Sequence, residues 1–176
     1  MTLFKQILLG FCIFLFGVTQ AIAFTVELTE AELQEKIDAK MPLQKSRFYI
    51  SVIISDPDVV LMPGSDRLGI QCKIVAALPG NLKGNGTLYV DGGIEYVQEE
   101  GAFYFVDPKI NTLVIEGISK KVEKKVKKLV GKVVKHSMNH FPVYTFKNNL
   151  KHKFAKALLD SVTVKDEKLI LEMSVF

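Results

Sequence analysis

The chain has 176 residues, of which 48% are hydrophobic and 24% are charged. These proportions are typical of one globular domain and exclude disorder of the whole chain. The formal net charge is +4. An excess of this size is too small to predict binding to nucleic acid, and we expect none.

The first residues have the pattern of a secretory signal. Lys5 is the only charged residue among the first 26, and it precedes the apolar run 7–18. The segment Ala21-Ile22-Ala23 then places small residues at the two positions that a signal peptidase reads. The sequence therefore predicts an exported protein with a cleavable signal peptide over residues 1–23 and a single mature domain over residues 24–176.

An uncleaved membrane anchor is the alternative interpretation of this segment. A helix needs about 20 apolar residues to span the hydrocarbon core of a bilayer, and the run 7–18 is shorter. Cys12 follows the large Phe11, which does not fit a lipoprotein signal. Cleavage would leave Cys72 as the only cysteine of the mature domain, so we expect no internal disulfide.

The mature region begins with a predicted short helix. Thr29 and Glu32 have the spacing of a capping box, in which each side chain accepts a hydrogen bond from a backbone N–H at the start of a helix. The helix is expected to extend to about Lys40. Leu33 and Ile37 lie four residues apart and would share its buried face.

Alternating apolar residues predict strands over the region 47–106. The first strand is expected to place four residues on one face, namely Phe48, Ile50, Val52 and Ile54. Turn residues divide the region into short strands, which indicates an antiparallel meander; they lie at 56–58, 63–66 and 79–81. The segment 102–106 is apolar on both faces, so both of its sides should be covered.

The segment from Ile118 to Ser137 predicts a long amphipathic helix. Its apolar residues fall on one side of the helix and are Ile118, Val122, Val126, Leu129, Val130, Val133 and Val134. The opposite side carries Lys120, Lys121, Lys124, Lys125, Lys127, Lys128, Lys132 and Lys135. Because valine is a mediocre helix former, this helix should depend on docking its apolar stripe in a groove.

The last part of the chain predicts an extended connection, a helix and a hairpin. Residues 141–146 form the connection, because Pro142 disfavours helix at the residue before it. A second amphipathic helix is expected from about Lys147 to Asp160. Its apolar face would consist of Leu150, Phe154 and Leu158. The terminal hairpin would pair residues 162–165 with residues 169–175.

No group of residues predicts catalysis. Cys72 occupies an apolar strand position and is explained better as a small core residue than as a nucleophile. His136 and His140 have a spacing that metal sites use, but no third ligand is indicated, so a partly buried helix end is the better explanation. We therefore expect no enzymatic activity, no metal and no cofactor.

The order of these predicted elements resembles a family of small bacterial envelope proteins, typified by the YceB-like lipoproteins. The resemblance covers residues from about 24 to 176 and includes the capped helix, the meander, the long helix and the segment Phe141-Pro142-Val143-Tyr144. It implies a fold that looks like the tubular lipid-binding architecture, and a periplasmic protein that holds an acyl chain between sheet and helix. This sequence lacks the lipidated cysteine of the lipoproteins, so free diffusion in the periplasm is expected.

The patterns predict an α+β fold with short N-terminal and second C-terminal helices, and the resemblance implies that a curved antiparallel β-sheet wraps around the long amphipathic helix. The predicted function is non-catalytic binding or carriage of a lipid or other apolar molecule. The residues predicted to line the apolar groove are Leu33, Ile37, Phe103, Phe105, Val122, Val126, Leu129 and Val133. A filled core is compatible with the same pattern, because protein interiors pack densely.

The lysine side of the long helix supports an alternative function. In this interpretation the protein is a structural or interaction module of the envelope that docks a protein partner or makes a peripheral contact with an anionic membrane. The residues predicted to form this lysine face are Lys121, Lys125, Lys128 and Lys132. The same lysines would also suit a helix face that is simply solvated.

Overall fold

The computed structural model of the protein describes residues 22–147 and 157–175. The strands are β1 (Ile22–Thr29), β2 (Leu43–Arg47), β3 (Ile50–Val60), β4 (Leu68–Ala77), β5 (Lys83–Val97), β6 (Ala102–Glu116), β7 (Phe141–Thr145), β8 (Ala157–Lys165) and β9 (Lys168–Val175). The helices are α1 (Glu30–Asp38) and α2 (Lys120–Val133), and α2 continues into a π-helical segment (Val134–Met138).

The strands form two antiparallel sheets. A six-stranded sheet takes β2 to β7 in chain order, and a three-stranded sheet has the order β1-β9-β8. Irregular pairing within β3, β5 and β6 bends the larger sheet, which curls into a half-barrel. Val164 joins the two sheets, since it exchanges backbone hydrogen bonds of 2.8 Å with Gly64 and Ser65. The predicted α+β class is therefore confirmed.

The capping box at the start of α1 is present as predicted. The Glu32 N–H donates to Thr29 Oγ1 at 3.2 Å, and the Thr29 N–H donates to Glu32 Oε2 at 2.9 Å. The second hydrogen bond stabilises the carboxylate and thereby lowers the pKa of Glu32. Leu33 and Ile37 are fully buried, which confirms the predicted face of this helix.

Most of the apolar stripe of α2 is buried as predicted, while Ile118 and Val122 are half-buried. Val126, Val130 and Val133 lie in one core with the inner faces of the strands, and the lysines on the other side of the helix are mostly exposed. Helix α2 contacts β2, β3 and β6. Together with its π-helical continuation, α2 spans 19 residues. Because valine is a mediocre helix former, the burial of the stripe stabilises this helix.

Tight packing surrounds the aromatic residues of β6. Phe103 and Phe105 are fully buried, and a Cβ on Gly92 would come within 2.4 Å of the Phe105 ring. Gly92 is thus the residue of β5 that lets this ring approach the strand. Ala102, on the opposite face of β6 from Phe103, is buried as well. This confirms the prediction that both faces are covered at the start of this strand.

The predicted helix over residues 147–160 is wrong at its C-terminal end. Residues 157–160 begin β8, in which Ala157 pairs with Val175 and Leu158 with Ser174. Residues 148–156, which include Leu150 and Phe154, lie outside the described part of the chain. The predicted terminal hairpin is confirmed, with Asp166 and Glu167 at positive φ in its two-residue turn.

The start of the meander differs from its prediction. Phe48 was expected to share a strand face with Ile50, whereas the structure places Phe48 and Tyr49 in a turn between β2 and β3. The register that pairs Arg47 with Ile50 leaves only these two residues in the loop. Both aromatic rings consequently point away from the core into solvent.

Most of the predicted signal peptide lies outside the described residues. Ile22 and Ala23, its last two residues, begin β1 and pair with Val175 and Ser174 of β9. The strand itself was not predicted. Within residues 22–147 and 157–175, no helix combines the length and the apolar character that crossing a bilayer requires.

Candidate functional site

A cleft of about 640 Å³ lies between α2 and the ends of two hairpins. The β2–β3 hairpin, the β4–β5 connection and one side of α2 form its walls. The residues that line it are Arg47, Phe48, Tyr49, Ile50, Leu78, Pro79, Leu82, Val122, Lys125, Lys128, Leu129 and Lys132.

Sheet register brings the two hairpin ends together. Ser51 pairs with Ala77, so the β2–β3 turn and the β4–β5 connection lie at the same end of the larger sheet. A short 3₁₀ turn over Pro79–Asn81 shapes that connection, and the Leu78 N–H donates to the Leu82 carbonyl at 2.9 Å. Both connections therefore present apolar side chains toward the same end of α2.

The residues of α2 that line the cleft lie at the border between its apolar side and its lysine side. Val122, Lys125, Leu129 and Lys132 recur at intervals of three and four residues, so they form a single stripe along the helix. Leu129 is buried and Val122 and Lys132 are half-buried, while Lys125 is exposed. The cleft is consequently apolar inside and cationic at its rim.

The apolar residues at the mouth of the cleft are unusually exposed. The exposed fractions are 87% for Phe48, 83% for Tyr49 and 61% for Leu82. The Arg47 guanidinium carbon lies 5.4 Å from the centroid of the Phe48 ring, a cation–π distance. We call Phe48, Tyr49 and Leu82 the apolar tip.

The cations of the cleft have no acidic partners within the described part of the chain. The lining contains no aspartate or glutamate. The ion pairs formed by the described residues are Arg67–Asp91, Lys73–Asp56, Lys127–Glu123 and Lys168–Glu27, and none involves a cleft residue. Arg47, Lys125, Lys128 and Lys132 thus give the cleft a positive potential that these residues do not neutralise.

The structure divides the predicted groove residues into two groups. Val122 and Leu129 line the cleft. The other six, which line neither this cleft nor the smaller cavity described below, are almost completely buried in the core: Leu33, Ile37, Phe103, Phe105, Val126 and Val133. The first group lies at the cleft, and the second group belongs to the hydrophobic core.

The predicted lysine face overlaps the same cleft. Lys125, Lys128 and Lys132 line it, whereas Lys121 is exposed outside its lining. The sequence pattern indicated an apolar groove and a lysine face as two separate sites. In the structure their members meet along one edge of α2.

Sequence reasoning missed the contribution of the two connections. Phe48 and Tyr49 follow Arg47, and Leu82 precedes Lys83, so each exposed apolar segment lies next to a cation. The pair Phe48 and Tyr49 was predicted to lie in a strand, because the alternating apolar pattern continues through these two residues. The adjacency of Arg47 to two consecutive aromatics was the available signal.

A smaller cavity of about 380 Å³ adjoins the π-helical segment. It is lined by Asp107, Pro108, Ile110, Gly131, Val134, Lys135 and Asn139. Two of its lining residues are hydrogen-bonded, since the Asp107 N–H donates to Asn139 Oδ1 at 3.1 Å. Across the described residues, no three histidine, cysteine, aspartate or glutamate side chains are close enough to hold a metal ion.

The buried thiol of Cys72 does not have the lowered pKa of a reactive cysteine. Burial raises the pKa of Cys72 to about 12, with a smaller contribution from the Asp56 carboxylate. The thiol is therefore protonated at neutral pH, whereas a nucleophilic cysteine needs a lowered pKa. His136 and His140 are exposed rather than partly buried, and His140 stacks on Tyr104 with ring centroids 5.4 Å apart.

Comparisons with known proteins place the chain in a family. No curated protein matches the sequence. Among solved structures, P47 of Clostridium botulinum E1 is similar, with a TM-score of 0.42 and 13% identity, over 74% of this chain and 35% of that chain. The family model described as protein of unknown function (DUF1439) matches residues 28–168. Because this match covers most of the sequence, the chain belongs to the DUF1439 family.

Proposed function

We propose that this protein binds, in its cleft and without catalysis, a lipid-like molecule that has an apolar chain and an anionic head group. One observation carries the proposal: apolar side chains and cations without acidic partners among the described residues line the same cleft. An amphipathic anion is the class of ligand that satisfies both features at once.

The apolar wall suits an acyl chain. The cleft volume of about 640 Å³ falls within the range of roughly 300–1,000 Å³ that small-molecule sites occupy. Phe48 and Tyr49 leave most of their rings in water, although removing apolar surface from water contributes about 25 cal/mol for each Å². A chain lying between these rings and Leu129 would cover that surface.

The cationic rim suits a carboxylate or phosphate head group. A cation close to anionic head groups contributes about 1 kcal/mol to binding. Lys125, Lys128 and Lys132 lie along one edge of α2 and Arg47 lies opposite them in the cleft lining. These four side chains would therefore bind the head group, and an uncharged ligand with the same chain would bind more weakly.

We also infer that the larger sheet wraps α2 in the manner of the tubular lipid-binding fold. Helix α2 contacts β2 and β3 at one end of the strand order and β6 near the other end. Irregular pairing curls the sheet between those strands. In this arrangement Val126 and Val133 anchor the helix in the core while Val122 and Leu129 stay next to the cleft.

Ligand binding is tested by the thermal stability of the purified protein with oleate and with oleyl alcohol. A ligand that binds only the folded state raises the melting temperature. We expect a larger rise with oleate, because oleyl alcohol has the same chain without the charge. The absence of any rise with oleate or with lysophosphatidylglycerol would show that the proposal is wrong.

A matched pair of variants separates the cleft from the rest of the helix. Replacing Lys125 and Lys128 together by alanine should weaken oleate binding by about tenfold or more. Replacing Lys121 and Lys124 by alanine removes two exposed cations of the same helix that lie outside the cleft lining. This control should bind oleate as the unaltered protein does, and equal losses in both variants would point to general charge effects.

Export to the periplasm is part of the same proposal. The predicted signal over residues 1–23 supports it, because its charged start, apolar run and alanine-rich end have the required order. Intact mass of the protein released from the periplasm should correspond to a chain that begins at Phe24. A chain that retains residues 1–23 and sediments with membranes would contradict it.

A further inference from the structure

The apolar tip lies at the ends of two neighbouring connections of the larger sheet. Phe48 and Tyr49 are the two loop residues of the β2–β3 hairpin, and Leu82 follows the 3₁₀ turn of the neighbouring connection. All three side chains are mostly in solvent. Contiguous exposed apolar side chains surrounded by polar ones mark a surface that contacts another molecule or a membrane.

The backbone conformation at position 48 disfavours a bulky residue such as phenylalanine. Its φ is +55°, a value that glycine adopts easily and bulky residues rarely adopt. Two-residue hairpin loops favour glycine at such a position. A large exposed aromatic ring at a strained position therefore needs a reason other than the stability of the hairpin.

Cations surround the apolar tip. Lys45 and Arg47 are exposed on β2 and Lys83 is exposed next to Leu82. The cleft lysines Lys125 and Lys128 approach from α2. Neither residues 39–55 nor residues 67–90, which contain the two connections, include an aspartate or glutamate.

We propose that the apolar tip inserts into the interface of an anionic lipid bilayer while the surrounding cations contact its head groups, so that the cleft opens onto the membrane. Aromatic and leucine side chains flanked by lysine and arginine are the composition that binds at this interface. The docking itself needs only the tip and the cations and so goes beyond ligand binding. Loading of the cleft from the bilayer rests on the proposed function.

A bilayer fits this surface better than a protein partner does. A stable protein interface buries about 800 Å² on each partner, whereas the apolar tip offers three side chains at the ends of two hairpins. A narrow projection is suited to penetrating a soft interface. The uncompensated positive charge around it also fits a surface of uniform negative charge.

The test measures flotation of the purified protein with vesicles. One set contains phosphatidylglycerol and phosphatidylcholine in equal amounts, and the other contains phosphatidylcholine alone. We expect binding to the anionic vesicles that falls as salt rises and is at least about tenfold weaker to the neutral ones. Equal binding to both sets, or none to either, would overturn the proposal.

Variants identify the surface that binds. The triple variant Phe48→Gly, Tyr49→Ser and Leu82→Ser should lose at least about tenfold in vesicle binding, and glycine suits the backbone at position 48, so folding is retained. The control is Met62→Ser with Val114→Ser, which removes two exposed apolar side chains that are not among the cleft lining. Unchanged binding of the triple variant would overturn the proposal.

A fluorescent reporter gives an independent readout. The chain has no tryptophan, so a Phe48→Trp variant carries a single indole at the tip. Its emission should shift to shorter wavelength with anionic vesicles and not with neutral ones, and the absence of a shift would contradict insertion.

The outcomes separate the two proposals. A protein that is stabilised by oleate but never binds vesicles would overturn docking and leave the proposed function standing. Vesicle binding without stabilisation by any soluble amphiphile would support docking and overturn the proposed function. Saturable binding of the tip to a purified envelope protein, with no vesicle binding, would assign this surface to a protein partner instead.

Discussion

The hydroxyl of Tyr89 occupies the space that a side chain on Gly69 would need. A Cβ on Gly69 would lie 2.6 Å from Tyr89 Oη and 2.9 Å from the Val60 carbonyl oxygen. The same hydroxyl is buried and has no hydrogen-bond partner in the described part of the chain. The neighbouring strands β4 and β5 are thus packed at this point around a hydroxyl group whose burial is not compensated by a hydrogen bond among the described residues.

A double-mutant cycle on this pair has a defined expected result. Gly69→Ala should destabilise the protein by about 1–3 kcal/mol because the new methyl group clashes with its neighbours. Tyr89→Phe should be neutral or stabilising by up to about 1 kcal/mol, since it removes an unpaired buried hydroxyl. In urea unfolding, the double variant should be less destabilised than the sum of the single changes. Strict additivity would contradict the contact.

The capping box predicts a dependence of stability on pH. Its hydrogen bonds lower the pKa of Glu32 in the folded protein, so the stability that this carboxylate adds is present above its unfolded pKa and is lost as pH falls through its folded pKa. Glu32→Gln should therefore reduce the free energy of unfolding at about pH 7 and have little effect at about pH 3. Thr29→Ala should cost about 1 kcal/mol near neutral pH. A Glu32→Gln effect that does not vary with pH would exclude this mechanism.

Cys72 should be unreactive in the folded protein. Its pKa of about 12 lies above the unfolded value of about 8.5, so folding retains the proton and the stability that it contributes declines as pH rises between the two values. Iodoacetamide should modify Cys72 at about pH 8 only after the addition of denaturant. Peptide mass spectrometry identifies Cys72 as the modified residue. Rapid labelling without denaturant would show that the strand opens locally.

Two leucines test the correction to the C-terminal helix. Leu33 is fully buried on the inner face of α1, whereas Leu158, in β8, is 46% exposed. Leu33→Ala should lower the free energy of unfolding by about 2–5 kcal/mol. Leu158→Ala should change it by no more than about 0.5 kcal/mol. A large loss at Leu158 would favour the buried helix face that the sequence pattern predicted for it.

Local patterns were sufficient for the two described helices. The capping box and the spacing of Leu33 and Ile37 depend on residues within one or two turns, so they could be read directly. The stripe of α2 is equally local, because the periodicity of its valines is independent of what covers them. The same is true of the terminal hairpin, whose turn chemistry lies between its two strands.

The errors occur where partners are distant in sequence. Leu158 lies four residues after Phe154, as in a helix, but pairing of β8 with β9 decides its conformation. Asp56-Pro57-Asp58 reads as a turn, yet β3 continues through it, with irregular pairing between Ser55 and Asp58. A local signal of chain reversal and a bulge in a continuing strand use the same residue types.

The cleft was predictable only in part for a related reason. The border residues Val122 and Leu129 follow from the helical period of α2, and so do the lysines next to them. The hairpin residues that face them come from a turn whose position depends on the register of β2 against β3. Nothing within the sequence of α2 indicates which loop will lie beside it.

The π-helical segment decides which way the end of α2 faces. In a π-helix each backbone N–H donates to the carbonyl five residues earlier instead of four, which adds one residue to the turn and rotates the subsequent residues by about 100°. Val134 and Met138 of this segment are buried, while His136 between them remains outside the core. The segment therefore changes the rotation of the chain between α2 and β7. The lysines of α2 keep their alignment with the cleft, and Phe141 pairs with the edge of β6. If one residue of this segment were deleted, the lysines of α2 and Phe141 could not both keep their present positions.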